Sequence, residues 1–425
     1  QVRNILYEKT AREDLNAEKE HRKDAAHTYP SRRWSYFILG TIAMLCIGTI
    51  YGWSVLKVPL GETFGWETGQ LALAYSLMFC AFCGGNIGGS QLQKKLGYRA
   101  ALILSAAAVA AGFTLTAALD TPNILMLYLS YSLLVGGGIG VAYPTILDQV
   151  GRWFPDMPGL CSGVLTMGFG SSTLFLVEPG SGLFQVSGVG WRGAFLILGA
   201  AGGGSLLLCA LCLKSRLVEK AQGQDARGFP VTQTMRRPDF WRLYAYLLLN
   251  SVLGSVIFAL AYDYCVSLEF SIVAAVTMVS VVSAFNGLSR PLFGMVYDRL
   301  GRKRTMLAGS LCVILASFTM LLAVLLRSKP LAVLGLALTG LGYGHGPVLN
   351  PTLIRAFYGD MDFAANYSLS NTRTLITSFM APAFAKLLAV TGSFVAPLLI
   401  TLGTSCAAFL LQFSIRSPSP LPQDH

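Results

Sequence analysis

Charge is scarce in this 425-residue chain. Lys, Arg, Asp and Glu together make up 12% of it, against 53% hydrophobic residues. A soluble globular domain carries about 25% charged residues, so a water-soluble fold is excluded. Acids are the scarcer sign, with 21 Asp and Glu against 32 Lys and Arg. Histidine is limited to 4 residues. No His, Cys, Asp and Glu spacing suits a metal site, and no nucleophile stands with a base, so the expectation is a non-enzyme without metal or cofactor. The 9 cysteines fall mostly in apolar runs, where they pack. Cys209 and Cys212 form a CxxC, but within an apolar helix, which favours packing over redox work. The first 33 residues are polar and hold no apolar core of a secretory signal. The chain opens on Gln1, so its natural start is expected upstream.

Long apolar runs are what is present, with a mean hydropathy of +0.56. About 20 apolar residues in a helix cross the ~30 Å of a bilayer core. Such runs are read at 34–60, 68–91, 100–118, 124–146, 160–177 and 191–213, then at 241–265, 273–296, 306–326, 331–356, 364–390 and 394–413. Only helices satisfy their own backbone in lipid, so the fold class is all-α membrane. Its twelve transmembrane helices form two six-helix pseudo-symmetric halves. The expected organisation is an N-terminal tail 1–33, a bundle 34–213, a linker 214–239, a bundle 240–415 and a tail 416–425. The linker carries Lys214, Arg216, Lys220, Arg227, Arg236 and Arg237 and reads as solvated.

Charge sets the orientation. Of the Lys and Arg, only Arg192, Arg327 and Lys329 fall on the far side, and four lie within spans. The rest lie on the side of the N-terminus, which puts both termini in the cytoplasm. The net charge of +11 is thus a topology signal spread over short loops, not a nucleic-acid surface. A multi-pass cell-membrane protein follows, in a bacterium an inner-membrane one. Its partners are the lipid bilayer and a small solute, and a monomer is expected.

Ionisable groups inside spans are functional by default. The four are Lys57, Arg290, Arg373 and Lys386, while every Asp and Glu falls in a loop, tail or helix end; Asp148, Glu178 and Asp263 come nearest the core. A buried cation without a built-in carboxylate needs a partner, and an anionic substrate is the economical one. Arg290 lies eight residues before Asp298, about 12 Å inside the helix end at 1.5 Å per residue. Its fork suits a carboxylate, and Asn286 shares its helix face. Arg373 sits about 15 Å deep among Asn366, Tyr367, Ser370 and Asn371. Lys57 lies near the far surface, where snorkelling competes with substrate contact, and Lys386, close to the same surface, reads as a snorkelling lysine. His345 is mid-span, and a histidine can carry protons near neutrality; a hydrogen-bonded structural role is its other reading. Tyr51, Tyr131 and Tyr343 can line a cavity or pack as core and belt residues.

The halves repeat. Segment 294–303 reads GMVYDRLGRK and segment 90–99 reads SQLQKKLGYR, each turning on a glycine. The later copy resembles the GxxxDRxGRR/K loop of the major facilitator superfamily; in the earlier one Lys94 stands at the acid's position. Segments 51–57 (YGWSVLK), 64–66 (FGW), 152–156 (RWFPD), 237–241 (RPDFW), 285–291 (FNGLSRP) and 366–367 (NY) resemble the oxalate/formate antiporter family, related to the monocarboxylate transporters. The resemblance implies that Arg290 ligates a substrate carboxylate. It implies that Tyr51 and Tyr343 hold aromatic cavity positions and that Lys57 matches the helix-one lysine of the monocarboxylate transporters. Two positions depart from the pattern. Thr374 stands where the antiporter has a helix-eleven lysine, with Arg373 one residue before it. Asn286 stands where the monocarboxylate transporters carry an acid.

The expected function is secondary transport of small monocarboxylates such as lactate or pyruvate by proton-coupled symport. Lys57 or His345 would carry the proton. Exchange of oxalate or another dicarboxylate for formate is the alternative. A membrane receptor on a transporter fold is the non-transport one.

Overall fold

The computed structural model describes residues 31–176, 190–215 and 228–417. Among them every regular element is helical and no strand occurs. The chain enters as α1 (Arg33–Ile47), tightens through a 3₁₀ turn at Gly48–Gly52 and continues as α2 (Trp53–Phe64). Next come α3 (Thr68–Ala117) and α4 (Ile124–Leu127), which runs through a π turn (Tyr128–Val135) into α5 (Gly136–Gly151). Then follow α6 (Pro158–Leu176), α7 (Gly190–Cys212) and a short α8 (Val231–Arg236). The second part holds α9 (Pro238–Ser267), α10 (Ile272–Leu325), α11 (Lys329–Tyr343), α12 (His345–Tyr358), α13 (Phe363–Asn371), α14 (Arg373–Ser378), α15 (Met380–Thr391) and α16 (Val395–Leu411).

Nine helix runs among the described residues are long and apolar enough to cross a membrane. The two longest, α3 with 50 residues and α10 with 54, would stretch to about 75–80 Å if straight, far beyond a bilayer. Each is two helices joined at a glycine. Gly97 takes φ 83°, ψ 163° and Gly301 takes φ 76°, ψ 175°, a region open essentially to glycine alone. The two glycines of the sequence repeat are therefore the sharp turns inside α3 and α10. Local chemistry sets the starts of other helices: Glu67 and Gln70 form a capping box on α3, and the Ser271 side chain accepts from Ala274 N at the start of α10.

Helices α1 to α7 form one bundle, with α3 against α5 and α7 and α1 against α6 and α7, while α6 packs most heavily on α10. Helices α9 to α16 do the same around α10, α11 and α16. The bundles meet where α6 crosses α10 and α12, and where α13 crosses α3. One continuous buried cluster runs from the first bundle into Leu349, Leu353, Tyr358, Phe363 and Tyr367 of the second. A separate cluster around Val256, Tyr264, Met320 and Phe394 fills the remainder of the second bundle.

Part of the linker departs from the solvated expectation. Phe229 is buried against the Tyr358 ring, and its amide donates to Tyr358 O over 2.9 Å. Arg237 stacks on the same phenylalanine at 4.1 Å. An aromatic side chain with a nearby apolar seat leaves water, whatever the charge of its neighbours. Residues 216–227 of the linker, most of the N-terminal tail and residues 418–425 lie outside the described residues.

Candidate functional site: a buried guanidinium between two bundles

The α6–α10 crossing is the closest approach of the two bundles. A Cβ on Gly159 would meet Gly294 O, and one on Gly163 would stand 2.6 Å from Arg290 O. Backbones that close need small residues at the crossing. Arg290 sits in this crossing and is 3% exposed. Its Nη1 donates across the interface to the backbone carbonyl of Thr166 on α6. Its Nε and Nη2 make long contacts of 3.4 and 3.5 Å to Asn286 Oδ1, one turn back on its own helix. No carboxylate among the described residues lies within ion-pair distance of it. A buried charge with only neutral acceptors carries an effective desolvation penalty of several kcal/mol, on the order of 3–5 when its partner is missing.

A chain of phenols leads away from this guanidinium, beginning at Tyr143. Tyr143 of α5 hydrogen-bonds with Tyr367 of α13, their rings 6.1 Å apart, and lies within electrostatic reach of Arg290, Arg373 and Tyr343. Tyr343 ends α11, packs edge-on to Phe258 at 5.2 Å, and is also within reach of Tyr75 on α3. Phe169 closes against Tyr143 at 4.6 Å. The result is an aromatic wall drawn from both bundles, with the guanidinium beside Tyr143. Such a wall excludes water sideways while its hydroxyls can still meet an anion's oxygens.

Of the residues singled out from sequence, Arg290 and Asn286 are in contact here, and Tyr343 and Arg373 are joined to them through Tyr143. Arg373 is 4% exposed and donates to Ser251 Oγ on α9 over 2.9 Å, so it points into its own bundle. Thr374 instead faces the other bundle, with its Oγ1 3.8 Å from Cys83 Sγ on α3. One residue of helix is about 100° of rotation, and that step separates the two directions. His345 is buried against Tyr246 and Phe293, its Nδ1 paired with Gly342 O and its Nε2 unpartnered among the described residues. Tyr131 is not brought to the guanidinium: its ring stacks on Trp53 at 4.6 Å, beside Phe113 and Phe195, inside the first bundle. Lys57 is half-buried in the first half of α2, with no ion pair among the described residues, and Lys386 is exposed. The side chain of Tyr51 lies outside the described residues, as does Glu178.

Below the guanidinium, toward the face that carries Gly97 and Gly301, the bundles are bolted together. Asp298 accepts from the amides of Gly159 and Leu160 at 2.8 and 2.7 Å, capping α6 from the other bundle. Asp148 is held by both Arg152 (2.9 Å) and Gln93 (2.7 Å), and Arg355 reaches across to the Leu147 and Asp148 carbonyls. Lys94 pairs with Asp362 at 2.7 Å, and Ser368 donates to Asn86 O. These bonds between the bundles gather on this face. The molecule is closed on this face.

Sequence reasoning missed Tyr75, Tyr143, Tyr367 as a site residue, and the Thr166 carbonyl. The tyrosines stand alone in apolar helices, and only helix rotation and crossing decide whether such a ring faces core, lipid or site. A backbone carbonyl has no signature at all.

Residues 36–382 match the model of the Major Facilitator Superfamily. The oxalate:formate antiporter of Oxalobacter formigenes is 28% identical over 385 residues, covering 89% of this chain and 90% of that protein. Monocarboxylate transporter 12 of Mus musculus is 27% identical over 177 residues, 42% of this chain and 34% of that protein. The crystal structure of the E. coli fucose:proton symporter superposes with a TM-score of 0.67 at 13% identity, covering 90% of this chain and 98% of that one. At that identity the likeness speaks for the fold.

Proposed function

This chain belongs to the Major Facilitator Superfamily, and on that premise we propose that it is a secondary transporter of small carboxylates working by alternating access. It is a multi-pass membrane transporter and not an enzyme. On this reading α3 and α10 count as two spans each and α6 as one more, which makes twelve, and the excess of Lys and Arg on one side puts the closed face and both termini toward the cytoplasm. A site between the bundles of one chain needs no second copy, so the reading is a monomer in the cell membrane.

The observation that carries the reading is Arg290: a buried guanidinium at the meeting of the bundles with no carboxylate of its own. A substrate carboxylate supplies two charged acceptors to a fork that now has neutral ones, and charged pairs are roughly twice as strong. On this reading the remainder of the anion would meet the aromatic faces of Tyr143 and its neighbours. Because Arg373 points into its own bundle, one carboxylate per substrate is the favoured load, as in lactate or pyruvate. Lys57 lies farther out, where it can attract the anion. His345, with an unpartnered buried Nε2 near Arg373, is the candidate proton carrier for symport. Carboxylate exchange is the second reading, favoured by similarity to the oxalate:formate antiporter along nearly the whole chain.

In proteoliposomes, Arg290→Ala should abolish uptake of labelled lactate and of labelled oxalate while the protein stays folded. Unchanged uptake of whichever anion the wild type carries would sink the proposal. Acid-driven uptake into empty vesicles marks symport. Uptake only into vesicles preloaded with formate or another carboxylate marks exchange.

A further inference from the structure

We infer that Arg290 is also the latch that holds the empty molecule closed, and that a substrate carboxylate opens it by drawing the guanidinium away from Thr166. The identity of the competitor rests on the carboxylate reading; the latch itself does not.

Arg290 belongs to the second bundle, yet its Nη1 donates to the Thr166 carbonyl of the first. That bond lies just above the closed face, on the same α6–α10 crossing that Asp298 caps. The seat is shaped for it. A Cβ on Gly170 would stand 2.6 Å from Arg290 Nη1 and 2.7 Å from Cζ and Nη2, and these are the three atoms nearest to it. The guanidinium therefore reaches the carbonyl only because residue 170 has no side chain. Thr166 is inside α6, where its carbonyl has an intrahelical partner, and its second lone pair is free to take the guanidinium.

The bond can form only while the bundles are closed on this face. A ligand that competes for Nη1 weakens the closed state by no more than that bond contributes, which is the limit linkage sets on any population shift. A carboxylate forking onto Arg290 is such a ligand, since it offers a charged acceptor in place of a neutral carbonyl. The empty carrier stays latched, and the loaded one is free to open. Net flux, which needs the empty carrier to reorient, is then slower than exchange.

Cys161 on α6 is a native reporter. It is 1% exposed and lies within electrostatic reach of Asp298 and Arg355 of the other bundle. Its alkylation by N-ethylmaleimide, located by mass spectrometry in the full-length reconstituted protein without substrate, reads opening of this face. Arg290→Ala and Gly170→Ala should each speed it about tenfold or more, the scale of one hydrogen bond to a charged group. The double variant should be no faster than Arg290→Ala alone, because the added methyl then meets an empty space. A packing lesion at Gly170 would instead persist in the double variant, and that additivity overturns the latch, as does an unchanged rate in Arg290→Ala. In Gly170→Ala the ratio of exchange to net efflux should fall, a change that simple loss of protein would not produce. Lactate or oxalate added to the wild type tests the competitor separately. If neither speeds alkylation while the variants do, the latch stands and the carboxylate reading falls.

Discussion

Removing the Asp298 carboxylate should unlock the closed face far more than removing its counterpart in the sequence repeat. Asp298 and Lys94 each stand three residues before the turn glycine, Gly301 or Gly97. Their surroundings differ. Asp298 is 8% exposed and accepts two amide hydrogens at the first turn of α6, where the helix dipole favours negative charge. Hydrogen bonds to a charged group contribute about 1.5–3 kcal/mol each, and part of this returns when the freed amides meet water on opening. A net loss of about 3 kcal/mol is expected for Asp298→Ala, which is roughly a hundredfold in the opening equilibrium. Asp298→Asn keeps one acceptor and loses the charge, so about half of that loss is expected. Lys94 leaves 39% of its side chain in solvent, and an exposed pair contributes about 0–1 kcal/mol, so Lys94→Ala should shift the equilibrium less than about fivefold. The alkylation rate of Cys161 measures all three variants in one assay. Equal rates for Asp298→Ala and Lys94→Ala would refute the reasoning, because the repeat would then be symmetric in energy despite its asymmetric burial.

Gly301→Ala should lower stability by about 1–3 kcal/mol through its positive φ alone, since nothing lies within 4 Å of the added methyl. A thermal midpoint in detergent several degrees below wild type is expected, while Gly204→Ala, with open space and no positive φ, should leave it unmoved. Exchanging the pair, with Arg373→Thr and Thr374→Lys together, turns the cation about 100° toward Cys83 and the first bundle. Competition assays should then show preference moving from lactate toward oxalate, and an unchanged preference would mean that the direction of this cation does not set substrate charge.

Hydropathy was enough to read an all-helical membrane fold, because a segment in lipid must be apolar for about 20 residues and helical throughout. The turn glycines were legible for a similar reason: a chain leaving one helix for the next at φ 76° has little choice of residue. Arg290 was legible as an intruder, a cation in an apolar run without an acid nearby in sequence. The linker was less so. Its charge pattern spoke for water, but Phe229 had a seat on Tyr358 that belongs to another helix.

What the sequence by itself determined is the medium, the helices, their turns and the sign of the charge held inside. What only the tertiary structure decided is the company that charge keeps. Tyr143 and Tyr367 meet because α5 and α13 cross there, and Arg373 and Thr374 part because a single residue of helix turns them to different neighbours. The carbonyl that holds Arg290 belongs to a backbone 124 residues away, brought close by glycines on α6 and α10. Burial and charge act through composition and can be read along the chain. Direction and distance between bundles arise only when the helices pack.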